Sequence, residues 1–196
     1  MNGEEAKIEN CVIMEVVCNL EALLNQAAPT PQAFLALTIE LQRAFAYPFK
    51  KMRNATLLAK MHVLRVIFPT GQEYSRQTKA TLQGYLCALG NVERLSKEML
   101  PDSSVPLTLS AGMERGMLLT FGDEASGETA TLADSFASEA QKTGKALVMG
   151  LSLFRAMNYD GCLEITPRTI RVTGVVDGIR EVVALTKTDV RRLAEA

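Results

Sequence analysis

The hydrophobic positions of this chain follow two periods, one typical of strands and one typical of helices. Residues 8–17 form a short run rich in Val, Ile and Met, which predicts a buried strand. After Thr30-Pro31 the apolar residues recur at three- and four-residue spacing as far as Ala46, which predicts an amphipathic helix with Thr30 as its N-cap. The chain is therefore expected to begin with a strand followed by a helix.

The rest of the pattern continues this alternation. It predicts strands at residues 55–61 and 63–68, a helix at 72–99, a strand hairpin at 105–121 turning at Glu114-Arg115-Gly116, a helix at 129–142 ended by Gly144, a strand at 146–149, a helix at 152–157, and strands at 162–165, 170–172 and 181–185. This order predicts one α+β domain over residues 1–196, a mixed or antiparallel sheet with helices packed on it.

Composition and charge exclude several classes of function. The 196 residues carry a formal net charge of -1, which gives no general attraction to nucleic acid or to an anionic membrane. The four cysteines show no close pair and His62 is the sole histidine, so no zinc site is expected. Because the sequence shows neither a secretory signal nor an apolar run of spanning length, we expect a cytoplasmic protein with no membrane insertion.

The second half of the chain carries a series of glycine-rich and polar segments in a fixed order. They are residues 110–119, Gly122-Asp123-Glu124, residues 127–133 and Val176-Asp177-Gly178. In this order and at these spacings the chain resembles the class III adenylate/guanylate cyclase homology domain. The resemblance implies a ferredoxin-like fold, a head-to-tail dimer with substrate sites between protomers, and two aspartates that hold two metal ions.

The two aspartate positions of that family are occupied by other residues here. The resemblance aligns Glu15 with the aspartate at the end of the first strand, and His62 with the aspartate of the hairpin between the second and third strands. Glutamate could still bind a hard cation, whereas a neutral imidazole does not replace a carboxylate for magnesium. We therefore expect no metal site at Glu15 and His62.

The positions that recognise the base in the family also differ. The resemblance places Leu58 where active members have a purine-recognising lysine, and Lys60 is expected on the other face of the strand. A second purine-selecting position falls at Glu124.

The positions that contact the ribose and the phosphates differ as well. Thr131 and Ser135 take the places of the asparagine and arginine of the third helix, and Asp177 takes the place of the triphosphate lysine. With Glu15 and His62 these positions sum to a net negative charge, which disfavours a nucleoside triphosphate.

The sequence thus leads to the hypothesis of a cyclase homology domain without enzymatic activity, without catalytic residues and without a cofactor, retained as a dimerisation or regulatory module. The expected partner is a second copy of the chain or a related protein domain. Two alternatives remain open. One is a sensor that binds a nucleotide or another small molecule in the vestigial cleft, and the other is a divergent nucleotidyl cyclase that is active only with a partner chain.

Overall fold

The computed structural model of the chain describes residues 7–20, 30–50, 52–71, 74–121, 124–157 and 163–196. The strands are β1 (Lys7–Cys18), β2 (Thr56–Lys60), β3 (Val63–Pro69), β4 (Leu109–Phe121), β5 (Glu124–Ser126), β6 (Leu147–Gly150), β7 (Arg168–Arg171) and β8 (Ile179–Leu185). The helices are α1 (Pro31–Ala46), α2 (Tyr74–Met99), α3 (Glu128–Lys142), α4 (Leu151–Ala156) and α5 (Lys187–Glu195), with a 3-10 turn at Tyr47–Phe49.

These strands form one mixed sheet in the order β2-β3-β1-β4-β6-β8-β7, with β5 paired to β4. The β4–β6 pair is parallel and the other pairs are antiparallel. The expected α+β fold with helices packed on a mixed sheet is therefore confirmed.

Helix α1 forms where the sequence predicts it. The Thr30 hydroxyl accepts a hydrogen bond from the Ala33 amide at 3.2 Å, and Pro31 occupies the first turn, where a missing N–H leaves nothing unpaired. Helix α1 buries Leu37, Leu41 and Phe45, which belong to one hydrophobic cluster with strand β1 and helix α2. The predicted amphipathic helix is thus observed, with its apolar side on the sheet.

Strand β4 is where the structure departs most from the predicted elements. The predicted turn at Glu114-Arg115-Gly116 is wrong, because β4 runs without interruption from Leu109 to Phe121 and pairs with β1 along its length. Its glycines serve helix packing instead. A Cβ added at Gly112 would lie 2.0 Å from the Ala133 carbonyl oxygen, so α3 rests directly on the strand backbone there.

Smaller differences between the predicted and the observed elements lie in the second half of the chain. No strand forms over the described part of 162–165, where Leu163 makes only an isolated bridge; Cys162, like Gly122 and Asp123, lies outside the described residues. The pattern missed β5, which has three residues, and helix α5. Helix α5 begins with a capping box in which Thr186 and Asp189 satisfy each other's backbone amides.

Candidate functional site

A row of neighbouring residues crosses four strands on the sheet face that also carries α3. Glu15 on β1 pairs with Gly112 on β4 and with Arg65 on β3, and Arg65 pairs with Leu58 on β2. Paired residues of antiparallel strands project to the same side of a sheet, so these side chains are adjacent. Because Gly112 has no side chain, α3 approaches closely at one end of the row and leaves the Glu15–Arg65–Leu58 end open.

The Glu15 carboxylate is held by an arginine that the sequence analysis did not single out. The Arg65 Nε donates to Glu15 Oε2 at 2.5 Å, and its Nη1 donates to the Ala125 carbonyl oxygen on β5 at 2.9 Å. The two side chains are 4% and 21% exposed, so the ion pair is largely removed from water. The sequence did contain a signal for this pair. Glu15 and Arg65 are charged residues of opposite sign, and each stands within an apolar run that is buried.

A pocket of about 190 Å³ opens beside this ion pair. It brings together three of the predicted site positions, Glu15, Leu58 and Glu124, with Lys60 and Arg65. The expectation that Lys60 lies on the other face of the strand is wrong, because residues two apart on a strand share a face and Lys60 lines the same pocket as Leu58. The described lining thus contains two carboxylates and two cations.

His62 lies in the predicted hairpin turn but does not line this pocket. Its carbonyl oxygen accepts a hydrogen bond from the Cys18 amide at 2.8 Å, which places it three residues along the strand from Glu15, about 10 Å away. Its Nδ1 is buried with no hydrogen-bond partner among the described residues. The structure therefore does not bring Glu15 and His62 together as a pair of ligands.

Thr131 and Ser135 are half-buried on one side of α3, away from the pocket of Glu15. The Thr131 hydroxyl donates to the Gly127 carbonyl oxygen at 3.3 Å. The Thr131 methyl lies 3.9 Å from the point where a Cβ on Gly174 would stand, so this side of α3 faces the β7–β8 turn. These two positions therefore belong to a second region of the same chain.

Asp177 lies in that β7–β8 turn, is exposed, and has a φ of 61°. A positively charged residue that was not predicted lies near Asp177. Arg180 forms an ion pair with Glu128 at the start of α3 and donates to the Val176 carbonyl oxygen at 3.1 Å. The turn therefore carries an arginine close to where the resemblance implied a lost lysine.

A third carboxyl group, that of Glu114, is buried on the same sheet face. Glu114 pairs with Ile13 on β1, and its Oε1 accepts a hydrogen bond from the Arg115 amide at 2.8 Å. Burial raises the pKa of the Glu114 carboxyl above its ordinary value, against the opposing influence of that hydrogen bond and of Arg115 and Arg180. Glu114 therefore favours its protonated form more than an exposed glutamate does.

The residues present do not fit a two-metal centre of the kind the resemblance implies. Within the described ranges, no three His, Cys, Asp or Glu side chains are grouped so that they could hold a metal ion. Glu15 is engaged by Arg65, and His62 does not line the pocket.

No helix in the described part of the chain has the length and apolar character needed to cross a bilayer.

Comparison with known proteins identifies the fold. No family model and no curated protein matches the sequence. The guanylyl cyclase Cya2 matches with a TM-score of 0.70 at 11% identity, over 93% of each chain. The adenylyl cyclase CyaB from P. aeruginosa matches with a TM-score of 0.70 at 14% identity, over 92% of this chain and 96% of that one. The guanylate cyclase domain of RhGC from Catenaria anguillulae, in complex with GTP, matches with a TM-score of 0.61 at 12% identity, over 92% and 98%.

The chain thus has the fold of class III adenylate/guanylate cyclase domains, as its sequence resemblance predicted. The prediction that it is not an enzyme is contradicted, because these structural neighbours are adenylyl and guanylyl cyclases, which are enzymes. That prediction counted side chains replaced at aligned positions. It overlooked that Lys60, Arg65 and Arg180 bring positive charge to the same regions from other positions.

Proposed function

We propose that this chain is a divergent nucleotidyl cyclase domain that works as one half of a dimer, with a nucleoside triphosphate bound between the two halves. One half contributes the pocket of Glu15, Lys60 and Arg65. The other contributes the region of α3 and the β7–β8 turn. The observation that carries the proposal is the separation, within one chain, of the predicted site positions into these two regions.

The size of the pocket supports a site that a second chain completes. Pockets that enclose a whole small-molecule ligand usually measure about 300–1,000 Å³, and the pocket beside Glu15 measures about 190 Å³. It can therefore hold part of a nucleotide, and the rest needs another wall. A head-to-tail dimer closed by a two-fold axis would supply that wall twice.

The charges around the pocket also support an anionic substrate. The expectation of a cleft that repels triphosphate rested on Glu15, His62, Ser135 and Asp177. The pocket instead presents Lys60 and Arg65 beside Glu15 and Glu124, which are balanced in formal charge. A planar guanidinium suits the bidentate binding of phosphate oxygens, and Arg180 of the other half would add a third cation.

The reaction class follows from the proposed substrate. The ribose 3′-hydroxyl attacks the α-phosphorus and releases its proton to solvent water, while the bond between the α-phosphorus and the bridging oxygen breaks and pyrophosphate leaves. Such phosphoryl chemistry depends on positioning and on compensation of developing negative charge, which are the roles we assign to Lys60, Arg65 and Arg180.

A mixing experiment tests whether the site is shared between two chains. We expect Lys60→Ala and Arg180→Met each to lose most cyclic nucleotide formation from ATP or GTP, and a 1:1 mixture to recover it. Random pairing makes half of the dimers mixed, and each mixed dimer keeps one intact site of two, so recovery to about a quarter of wild type is expected. Nucleotide binding by calorimetry provides a second readout of the same recovery.

The control for this experiment is a mixture in which both changes sit on one chain. In a 1:1 mixture of wild type with the Lys60→Ala/Arg180→Met double variant, neither site of a mixed dimer is complete. Only the wild-type homodimers, about a quarter of all dimers, are then active, whereas a site contained within one chain would leave about half of the wild-type activity. Sedimentation checks that all variants associate as wild type does. A monomer of 21.4 kDa at tens of micromolar would contradict the proposal. So would a mixture of the two single variants that is no more active than either variant alone.

A regulatory sensor is the second candidate, and one contact favours it. Arg65 joins Glu15 on β1 to the Ala125 carbonyl on β5, so a ligand anion that engages Arg65 would alter how β5 is held to the sheet. Because binding to one state shifts the population of states, such a ligand would change dimerisation. A dimer dissociation constant that ATP changes in wild type and leaves unchanged in Lys60→Ala would favour this candidate.

A further inference from the structure

A cavity of about 970 Å³ lies between helix α2 and the segment that joins α1 to β2, apart from the pocket of Glu15. Residues 47, 48 and 52–54 form one wall, and Arg76, Gln77 and Cys87 of α2 form part of the other. None of its lining residues belongs to the pocket beside Glu15. The cavity is therefore independent of the site proposed above.

Two arginine side chains line this cavity. Arg53 and Arg76 line it, and none of the lining residues in the described part of the chain is acidic. Guanidinium groups bind phosphate and carboxylate oxygens through two parallel hydrogen bonds, which makes arginine the usual residue for such recognition. Two guanidinium groups in one lining thus favour an anionic group of a ligand.

A second observation indicates that the ligand also donates hydrogen bonds. The side-chain oxygen of Gln77 is buried and has no hydrogen-bond partner among the described residues, although Gln77 lines the cavity. A buried acceptor without a donor costs about 1–3 kcal/mol, so a ligand hydroxyl or N–H at this point would be favourable.

The volume and the remaining lining set the size of the ligand. About 970 Å³ falls within the range of pockets that enclose small molecules. Tyr47, Pro48 and Met52 add apolar and aromatic surface to the polar wall. The cavity can thus contact an anion, a hydroxyl-bearing group and an apolar or planar body at once.

We propose that this cavity is a second binding site, for a phosphate-bearing small molecule that also carries hydroxyl groups, such as a sugar phosphate or a nucleoside monophosphate. Arg53 and Arg76 bind the phosphate, and Gln77 accepts a hydrogen bond from a hydroxyl. This proposal does not depend on the proposed function, because it uses a separate set of residues.

Cys87 provides a reporter for occupancy of this cavity. It is exposed and lines the cavity, whereas Cys11 and Cys18 are buried and burial raises the pKa of each thiol to about 12. Thiolates are the species that react with alkylating reagents, so Cys87 should react much faster than those two. Its alkylation can be followed peptide by peptide with mass spectrometry.

The experiment measures Cys87 alkylation and thermal stability with AMP, ribose 5-phosphate and adenosine. We expect AMP and ribose 5-phosphate at about 10 mM to slow Cys87 alkylation severalfold and to raise the melting temperature, and the uncharged adenosine to do neither. If AMP alone acts, the site prefers a nucleotide; if both act, the sugar phosphate is the recognised part. Equal protection by adenosine, or none by any of the three, would overturn the proposal.

Two variants and two controls locate the effect. Arg53→Glu should abolish protection, and Ala80→Leu should reduce it by filling the cavity without a change of charge. Arg171→Glu makes the same charge change on exposed β7, at the opposite edge of the sheet, and should behave as wild type. Lys60→Ala, in the pocket of Glu15, should also keep the protection. Protection that Arg53→Glu and Ala80→Leu both retain would place the ligand elsewhere and refute the proposal.

Discussion

The two faces of the sheet are built from the same strands but from different chemistry. On the face covered by α1 and α2, strand β1 presents Val12, Met14 and Val16, all fully buried in one hydrophobic cluster. On the face covered in part by α3, the next residues of the same strand are Ile13 and Glu15, and Glu15 is buried beside Arg65. One face is a continuous apolar core, and the other contains buried charge.

This difference bears on which face contributes stability and which face carries the proposed site. Burial of apolar side chains stabilises the fold in proportion to the area removed from water. A buried charge contributes only if its partner and hydrogen bonds are in place, so it is a poor way to gain stability. The buried charge is therefore one reason why we place the proposed site on the α3 face.

The largest effect is expected from breaking the buried ion pair. Arg65→Met should lower the free energy of unfolding by about 3–5 kcal/mol, because it leaves the Glu15 carboxylate buried without its partner. Glu15→Gln in the Arg65→Met background should recover most of that loss, since the remaining charge is then removed. Urea unfolding followed by circular dichroism measures both changes.

The control is an ion pair of similar length on the helix that covers the apolar face. Arg43 and Glu40 of α1 lie 2.6 Å apart, against 2.5 Å for Arg65 and Glu15, but their side chains are 70% and 45% exposed. Arg43→Met should change stability by less than about 1 kcal/mol. Similar losses for Arg43→Met and Arg65→Met would show that burial does not distinguish the two faces.

A smaller effect is expected where α3 rests on β4. Gly112→Ala places a methyl group 2.0 Å from the Ala133 carbonyl oxygen, and neither backbone can move without lifting the helix. Such overpacking costs about 1–3 kcal/mol or more, and the melting temperature should fall accordingly.

The matched substitution lies on α2, over the apolar face. Gly90 is an exposed helical residue, and a Cβ added there meets nothing within 4 Å. Gly90→Ala should therefore raise stability by about 0.5–1 kcal/mol, because alanine favours the helix and restricts the unfolded chain. Changes of the same sign at Gly90 and Gly112 would refute the close helix contact on the α3 face.

The smallest effect concerns the pH dependence of the α3 face. Burial raises the pKa of the Glu114 carboxyl above its ordinary value of 4.5, so the folded state holds this proton more tightly than the unfolded state does. Stability from this group is therefore present below pH 4.5 and is lost as the pH rises through the folded-state pKa, with a slope of at most about 1.4 kcal/mol per pH unit.

Glu114→Gln removes the titrating carboxyl group and should flatten that part of the dependence of stability on pH. Urea midpoints measured between pH 4 and pH 7 should show the variant gaining stability relative to wild type as the pH rises. A constant difference between the two proteins across this interval would mean that Glu114 titrates normally. On the opposite face the buried positions of β1 are Val12, Met14, Val16 and Cys18, none of which carries a carboxyl group.

Much of the fold was predictable because local signals agreed with it. Thr30-Pro31 predicted the start of α1, and the apolar runs before and after His62 predicted the β2–β3 hairpin. The predicted turn in β4 failed because Gly112 and Gly116 were read as turn residues. Glycine has the same sequence signature whether it permits a turn or the close approach of another element, and α3 decides between the two.

The sequence identified several positions of the proposed site but not the charges around them. Alignment to the family identified Glu15, Leu58 and Glu124, which the structure brings into one pocket. Arg65 and Arg180 were missed, because an alignment compares only matching positions. The charge of a site depends on every group close to it, including an arginine on a neighbouring strand.

The sequence by itself determined the order of most strands and helices and the class of fold, because periodicity and N-caps act over a few neighbouring residues. Only the tertiary structure decided that Glu15 is neutralised by Arg65, fifty residues away in the chain, and that the predicted site positions form two separate regions. Those contacts join distant segments, and their free energy depends on burial, which exists only once the sheet and its helices are assembled.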